Sequence, residues 1–109
     1  MPELVQKLQS LLGPGGVLLG DDINSRPASW RGGDTQALAV VRPRNTREVS
    51  EIMKLCHAAG QGIVVQGGKT GLVDGCISNR NEIALSTERM NNIEDADANN
   101  RSLTVQAGV

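Results

Sequence analysis

Aromatic residues are almost absent from this 109-residue sequence, which contains one Trp, no Phe and no Tyr. The core must therefore be built from Leu, Ile, Val, Ala and Met, and a chain of this length can bury roughly two thirds of its unfolded surface. The same absence removes the stacking platforms on which single-stranded nucleic acids bind. We expect a small aliphatic core, with Trp30 as a packing anchor at a domain edge.

An excess of charge of one sign and long apolar runs are also missing. The 11 Lys and Arg residues are balanced by 12 Asp and Glu residues, so no basic surface predicts binding to DNA or RNA. No apolar run approaches the roughly 20 residues that span a membrane. The start, MPELVQKLQSLLG, has no basic segment or cleavage site of a signal peptide, which predicts a cytoplasmic protein.

Cysteine and histidine are scarce. Cys56 and Cys76 form no CxxC motif, so we expect both thiols to be free. Cys56 falls on an apolar stripe and is expected in the core, whereas Cys76 is expected to be accessible. His57, the only histidine, is expected to be a partly exposed residue near a helix C-terminus. Neither a metal site nor a catalytic residue is predicted.

Apolar spacing predicts two helices. The first begins at Pro2, has apolar residues at three- and four-residue steps, and ends at Gly13. The second begins with Asn45 as N-cap and Glu48 as its partner in a pair similar to a capping box. Gly60 is suited to the left-handed position that ends this helix. The apolar stripe of the second helix comprises Val49, Ile52, Met53, Cys56 and Ala59.

Four short segments are strand candidates, and they are residues 37–41, 63–65, 83–86 and 102–107. Arg42-Pro43 closes the first, because proline cannot donate to a strand ladder. Residues 13–33 are rich in turn-forming residues and predict a loop with room for one short helical turn. Residues 95–101 predict a hairpin connection. A strand, helix and strand of this length favour a right-handed parallel crossover, which gives an α+β fold with a small mixed sheet covered by helices.

The segment VVQGGKTGLVDG, from Val64 to Gly75, carries the main functional signal. Consecutive glycines after a short strand let backbone N–H groups approach an anion with no Cβ in the way. Thr70 adds a hydroxyl donor and Lys69 adds a positive charge. The segment indicates a phosphate-binding loop, although GGKTG alone is more often a glycine-rich connection with an incidental lysine.

Two common nucleotide motifs do not fit this loop. GKT at residues 68–70 matches the end of a Walker A loop, but that motif needs glycine at the position of Ile63. Gly62 misses the register by one residue, and the β-branched residues 63–65 favour a strand. The Rossmann fingerprint fails because Val65 occupies the position of its third glycine when Gly60 and Gly62 are the first two.

The segments AVVRPRNTREVSEIMKLCHAAGQGIVVQGGKTGLVDG, EIALSTERMNNI and LTVQAGV together resemble the N-terminal FAD-binding region of the FAD-linked 2-hydroxy acid dehydrogenases. This family includes D-lactate, glycolate and D-2-hydroxyglutarate dehydrogenases. Its signals VVRP, TREV, QGGKTGLV and LS…RMN occur here in order, from about Ala39 to Val109. The resemblance implies the first subdomain of a PCMH-type FAD-binding domain, with residues 37–109 as its incomplete N-terminal part and residues 1–36 as a helix and loop extension.

The resemblance also implies a cofactor site. The loop from Gln66 to Leu72 would wrap the FAD pyrophosphate, and the implied cofactor-binding residues are Pro43, Gln66, Gly67, Gly68, Lys69, Thr70, Gly71, Leu72, Gly75 and Gly108. The loop has no histidine, so FAD is expected to be non-covalent. Relatives often have proline at Val65, and usually asparagine at Lys69 and glycine at Asp74. We expect Lys69 to compensate the charge of Asp74.

By the same resemblance, the full-length protein is an FAD-dependent oxidoreductase that oxidises a 2-hydroxy acid and passes electrons to an acceptor other than oxygen. In that family the substrate pocket and catalytic residues come from later parts of the chain, so these residues alone are not expected to catalyse. The alternative is a binding or interaction module that keeps the fold without the cofactor. The sheet edge near Val109 predicts a homo-oligomer.

Overall fold

The computed structural model describes residues 2–109, which form three helices and eight strands. In chain order these are α1 (Pro2–Leu12), β1 (Val17–Leu18), α2 (Asp21–Asn24), β2 (Pro27–Ser29), β3 (Gly32–Asp34), β4 (Ala39–Val41), α3 (Thr46–Ala59), β5 (Ile63–Gln66), β6 (Ile83–Ser86), β7 (Ile93–Asp97) and β8 (Ser102–Val105). None of the helices within residues 2–109 combines the length and the apolar composition that crossing a membrane requires.

A four-stranded sheet in the order β1-β4-β6-β5 forms the centre of the fold. β4 and β5 both pair in parallel with β6, and β1 pairs antiparallel with β4. The predicted mixed sheet and α+β class are confirmed. β4 and β5 are parallel, as the strand, helix and strand pattern predicts, but β6 lies between them.

Both ends of α3 are fixed by local contacts that the sequence predicts. The Asn45 side chain accepts a hydrogen bond from the Glu48 N–H at 2.9 Å, and Gly60 ends the helix at φ 66°. The Glu48 carboxylate accepts from the Arg44 N–H at 2.8 Å, one residue before the position a capping box uses. Burial alone would raise the pKa of Glu48, but hydrogen bonds from the Arg44 side chain and backbone lower it overall.

Two small apolar clusters cover the two faces of the central sheet. On one face, α1 and α3 pack against the sheet through Leu4, Leu8, Leu12, Val41, Ile52, Cys56, Ile83 and Leu85. On the other face, Ile23 of α2 packs against Val40 and Ala84. Successive strand residues point to opposite faces, so Val40 and Val41 contribute to different clusters. Residues of the N-terminal extension therefore belong to the same core as the strands.

Residues 13–33 contain more structure than a loop, because β1, α2, β2 and the start of β3 all lie there. Gly32 and Gly33 have φ values of 85° and 81°, and β3 is nevertheless held as a strand by its antiparallel pairing with β2. Trp30 lies in the turn of this hairpin and is 54% exposed, so within residues 2–109 it does not pack into the core, and its role as an anchor at a domain edge stays a prediction. The Arg31 guanidinium lies 5.3 Å from the centroid of its ring.

β7 and β8 form a separate antiparallel hairpin. The predicted hairpin connection is confirmed, but the strands extend to Asp97 and end at Val105, so residues 95–97 are strand and residues 106–107 are not. The Asp97 carboxylate accepts hydrogen bonds from the N–H groups of Asn100 and Asn99 at 3.1 and 3.0 Å, and these bonds lower its pKa. β4, the first of the strands predicted from the sequence, likewise begins at Ala39, two residues later than predicted.

Candidate functional site

Three parallel strands end at one edge of the central sheet. Val41, Leu85 and Val65 lie side by side in the ladder, so the residues that follow β4, β6 and β5 leave the sheet at the same level. These residues include Pro43, Thr87 and Gly67. Neighbouring strands are about 4.8 Å apart, so Pro43 and Gly67 flank β6 across about 10 Å. Pro43 is fully buried at this edge.

Gln66, the last residue of β5, fixes the base of the glycine-rich loop. Its side chain is fully buried, and its amide nitrogen donates to the Cys76 carbonyl at 2.9 Å. Its backbone carbonyl accepts from the Thr87 N–H at 3.1 Å. The two ends of the loop are therefore held together by the bond between Gln66 and Cys76. The bond from Thr87 links the start of the loop to the end of β6. Within residues 2–109, the side-chain oxygen of Gln66 has no hydrogen-bond partner.

The glycines of the loop leave space and unpaired donors. Within residues 2–109, the N–H groups from Gly67 to Leu72 donate no hydrogen bond. A Cβ added at Gly68 or Gly71 would meet no atom within 4 Å, and neither residue has a positive φ. The fold itself therefore does not require glycine at these two positions. A row of unpaired N–H groups without Cβ atoms is suited to an anion that approaches the backbone closely.

Lys69 and Asp74 contact the hairpin of β2 and β3 instead of each other. The Lys69 ammonium donates to the Pro27 carbonyl at 2.7 Å, and the Asp74 carboxylate pairs with Arg31 at 3.4 Å. The expected compensation of Asp74 by Lys69 is therefore wrong, because Arg31 reaches Asp74 from the hairpin. Burial lowers the pKa of Lys69, and the charge of Arg26 lowers it further.

Gly108 also lies at this edge of the sheet. Its N–H donates to the Met90 carbonyl at 2.8 Å, and a Cβ added to it would lie 1.8 Å from the Thr87 carbonyl oxygen. The predicted residues Pro43, Gln66 and Gly67 thus lie at the same edge as Gly108, near Thr87. The remaining predicted residues, Thr70, Leu72 and Gly75, are exposed along the outer part of the loop.

A charge cluster that sequence reasoning did not identify lies beside the loop. The Glu88 carboxylate binds Arg26 and Arg42, the latter at 3.3 Å, and accepts from the Ser86 hydroxyl at 2.7 Å. The hydrogen bond from Arg26 is the largest cause that lowers the pKa of Glu88 to about 2. Arg26, Arg42 and Lys69 give three positive charges against one carboxylate, an excess that attracts anions. The only sequence signal for this cluster is that polar residues directly follow β4 and β6.

Known proteins share both the sequence pattern and the fold. Residues 37–109, more than half of the chain, match a family described as FAD binding domain. A protein of Oryza sativa subsp. indica, named "Probable D-2-hydroxyglutarate dehydrogenase, mitochondrial", is 35% identical over 95% of this chain. The "D-lactate dehydrogenase" of Anaerostipes hadrus is 31% identical over 99% of it. The chain spans 19% and 23% of these relatives, about a fifth of their length.

A solved structure confirms the arrangement of the elements. The structure named "alkyldihydroxyacetonephosphate synthase in P1" superposes on the whole of this chain with a TM-score of 0.84, and the match covers 25% of that protein. The two sequences are 20% identical, so the likeness concerns the fold.

Proposed function

This chain belongs to the FAD binding domain family, and on that basis we propose that its loop from Gln66 to Leu72 binds the pyrophosphate of FAD. The observation that supports this assignment is the combination of unpaired N–H groups with open space at Gly68 and Gly71. An anion can approach such a backbone more closely than one that carries side chains. Pro43, Gly75 and Gly108 complete the proposed site.

Residues in and around the loop supply positive charge and a hydroxyl donor. The excess positive charge of Arg26, Arg42 and Lys69 favours a diphosphate, and the exposed Thr70 can donate its hydroxyl. We propose non-covalent binding, because the loop has no histidine and His57 lies on α3. Bound FAD supplies the redox chemistry, while this part of the protein binds and orients it.

For the full-length protein we propose oxidation of a 2-hydroxy acid, in which two electrons and two protons leave the substrate and a 2-oxo acid is formed. The names of the relatives support this substrate class. We propose an electron acceptor other than oxygen. We also propose that the protein forms a homo-oligomer and is cytoplasmic, whereas the relative from Oryza sativa subsp. indica has the word mitochondrial in its name.

The direct test is to express the longest reading frame that contains these 109 residues. We expect a yellow protein whose flavin absorbance bleaches anaerobically with D-lactate, glycolate or D-2-hydroxyglutarate. A colourless protein that does not respond to added FAD and oxidises none of these acids would remove the proposed function.

A titration of FAD, ADP and pyrophosphate against the 109-residue chain separates the cofactor site from the alternative module. Micromolar binding of FAD, tighter than that of ADP, supports the cofactor site. Absence of binding together with a stable oligomer supports the interaction module. Size-exclusion chromatography at several concentrations supplies the second measurement.

A further inference from the structure

The glycine-rich loop is attached to the hairpin of β2 and β3 by side chains of the loop. The Lys69 ammonium donates to the Pro27 carbonyl at 2.7 Å, and the Asp74 carboxylate lies 3.4 Å from the Arg31 guanidinium. The Cys76 thiol lies between these elements, 3.5 Å from the Ala28 carbonyl oxygen. These contacts join residues more than 40 positions apart, so they fix the loop relative to a distant part of the chain.

Lys69 and Asp74 also share an uncommon backbone conformation. Their φ values are 60° and 59°, and within residues 2–109 only Arg101 is a third non-glycine residue with positive φ. A side chain in this region is strained by contact with the neighbouring backbone, and glycine avoids that strain. Two such residues in one loop therefore carry a conformational cost that their side-chain contacts can offset.

We propose that Lys69 and Asp74 are positioning residues that fasten the loop to the hairpin of β2 and β3 and so arrange its N–H groups for FAD before FAD binds. This inference rests on the proposed function, since it assigns a purpose to the attachment. In this arrangement the Lys69 ammonium bonds to the protein and does not act as a ligand of the pyrophosphate. A loop that is already arranged binds its ligand more tightly, because less conformational entropy is lost on binding.

The two attachments differ in strength. Lys69 is half-buried and its hydrogen bond is short, whereas Arg31 and Asp74 are 59% and 36% exposed. Exposed ion pairs contribute little, because water and salt screen them. Burial also lowers the pKa of Lys69, in keeping with a partly buried side chain. Loss of the Lys69 contact should therefore loosen the loop more than loss of the Asp74 contact.

The two cysteines provide a measurement that does not depend on FAD. Cys76 is half-buried between the loop and the hairpin, and Cys56 is 1% exposed in the core. A thiol reagent followed by peptide mass spectrometry gives the labelling rate of each thiol in the FAD-free full-length protein. Loosening of the loop accelerates labelling of Cys76 alone, whereas global unfolding accelerates labelling of both.

The principal variant is Lys69→Met, which keeps the length of the side chain but removes the donor. We expect Cys76 labelling to accelerate by about tenfold, the effect of losing one charge-assisted hydrogen bond, and Cys56 labelling to stay unchanged. Lys69→Arg keeps a donor and should restore the slow rate. Lys54→Met is the matched control, because Lys54 is 71% exposed on α3 and its ammonium pairs with Glu51 on the same helix.

FAD titration of the same proteins distinguishes positioning from direct contact. Positioning predicts that Lys69→Met weakens FAD binding by about tenfold and accelerates Cys76 labelling in the same protein. Weaker FAD binding with unaltered Cys76 labelling identifies Lys69 as a ligand of the pyrophosphate and overturns the inference. A wild-type protein that binds no FAD removes the proposed function, while Cys76 labelling still reports on the attachment.

A charge exchange tests the second attachment. Arg31→Asp alone should accelerate Cys76 labelling by about twofold, because the pair is exposed. Adding Asp74→Arg restores an ion pair with the charges reversed, and Arg101 shows that arginine adopts a similar φ of 53°. Recovery of the wild-type rate in the double variant supports the contact, and additive acceleration contradicts it. This pair keeps the inference testable if Lys69→Met fails to fold.

Discussion

Substitution of Gly71 tests whether glycine is needed there for the fold or for ligand binding. Alanine at this position adds a Cβ that meets no atom within 4 Å, and the backbone is not in the positive-φ region. The substitution also removes freedom from the unfolded chain, which stabilises a compatible site by about 0.4–1 kcal/mol. We therefore expect Gly71→Ala to leave the free energy of unfolding unchanged or slightly higher.

FAD binding should respond in the opposite direction. If the added Cβ prevents one backbone N–H from reaching the diphosphate, a hydrogen bond to a charged group worth about 1.5–3 kcal/mol is lost. That loss corresponds to a dissociation constant weaker by about 10- to 150-fold. Quenching of flavin fluorescence measures the affinity, and urea denaturation followed by circular dichroism measures the stability.

Gly62→Ala is the matched control for this prediction. Its Cβ would lie 3.9 Å from Glu82 Cγ, an ordinary contact, and Gly62 precedes β5 at the end of the strand away from the loop. We expect stability to be unchanged or slightly higher, as for Gly71→Ala, and FAD affinity to stay unchanged. Wild-type affinity in Gly71→Ala would refute the close approach of FAD to the loop. A large loss of stability would show that the fold itself needs this glycine.

Three further predictions follow from contacts elsewhere in the structure. Gly108→Ala places a Cβ 1.8 Å from the Thr87 carbonyl oxygen, so we expect a loss of about 1–3 kcal/mol in urea denaturation. Glu88→Gln should lower the free energy of unfolding by about 1 kcal/mol at pH 7, a value reduced for screening because the carboxylate is 39% exposed. Since the folded-state pKa of Glu88 is lowered to about 2, that difference from wild type should shrink below pH 4.5, the ordinary pKa, and vanish near pH 2 in a pH series of denaturation curves. Asn45→Ala removes the cap that accepts from the Glu48 N–H and should lower the thermal midpoint, with a cost of about 1 kcal/mol.

The parts of the fold that could be predicted are those specified by neighbouring residues. Asn45 and Gly60 define α3 through contacts within one turn of each end. The glycine-rich loop is likewise identified from consecutive residues. β1 could not be predicted, because it has two residues and exists through pairing with Val41 and Val40, more than 20 positions away.

The candidate site could be predicted only where it depends on consecutive residues. Gly68 and Gly71 are recognisable from the sequence because the absence of a side chain is a local property. The contact of Lys69 with Pro27 spans 42 positions and depends on a hairpin that the sequence pattern did not predict. The cluster of Glu88 with Arg26 and Arg42 spans 62 and 46 positions. Such contacts follow from the tertiary fold and not from local spacing.

The position of β6 determines when the loop can acquire its structure as the chain folds. β6 is the last of the four sheet strands in the sequence, yet both β4 and β5 pair with it and not with each other. A nascent chain that ends before Ile83 has two parallel strands without their common partner. When β6 inserts, it pairs with both strands and also brings the two ends of the segment that contains the loop together. Formation of the sheet and closure of this segment therefore occur in the same non-local step. Until that event the unpaired strand edges are exposed to other chains, so we expect the chain to be most prone to aggregation before the loop acquires its structure.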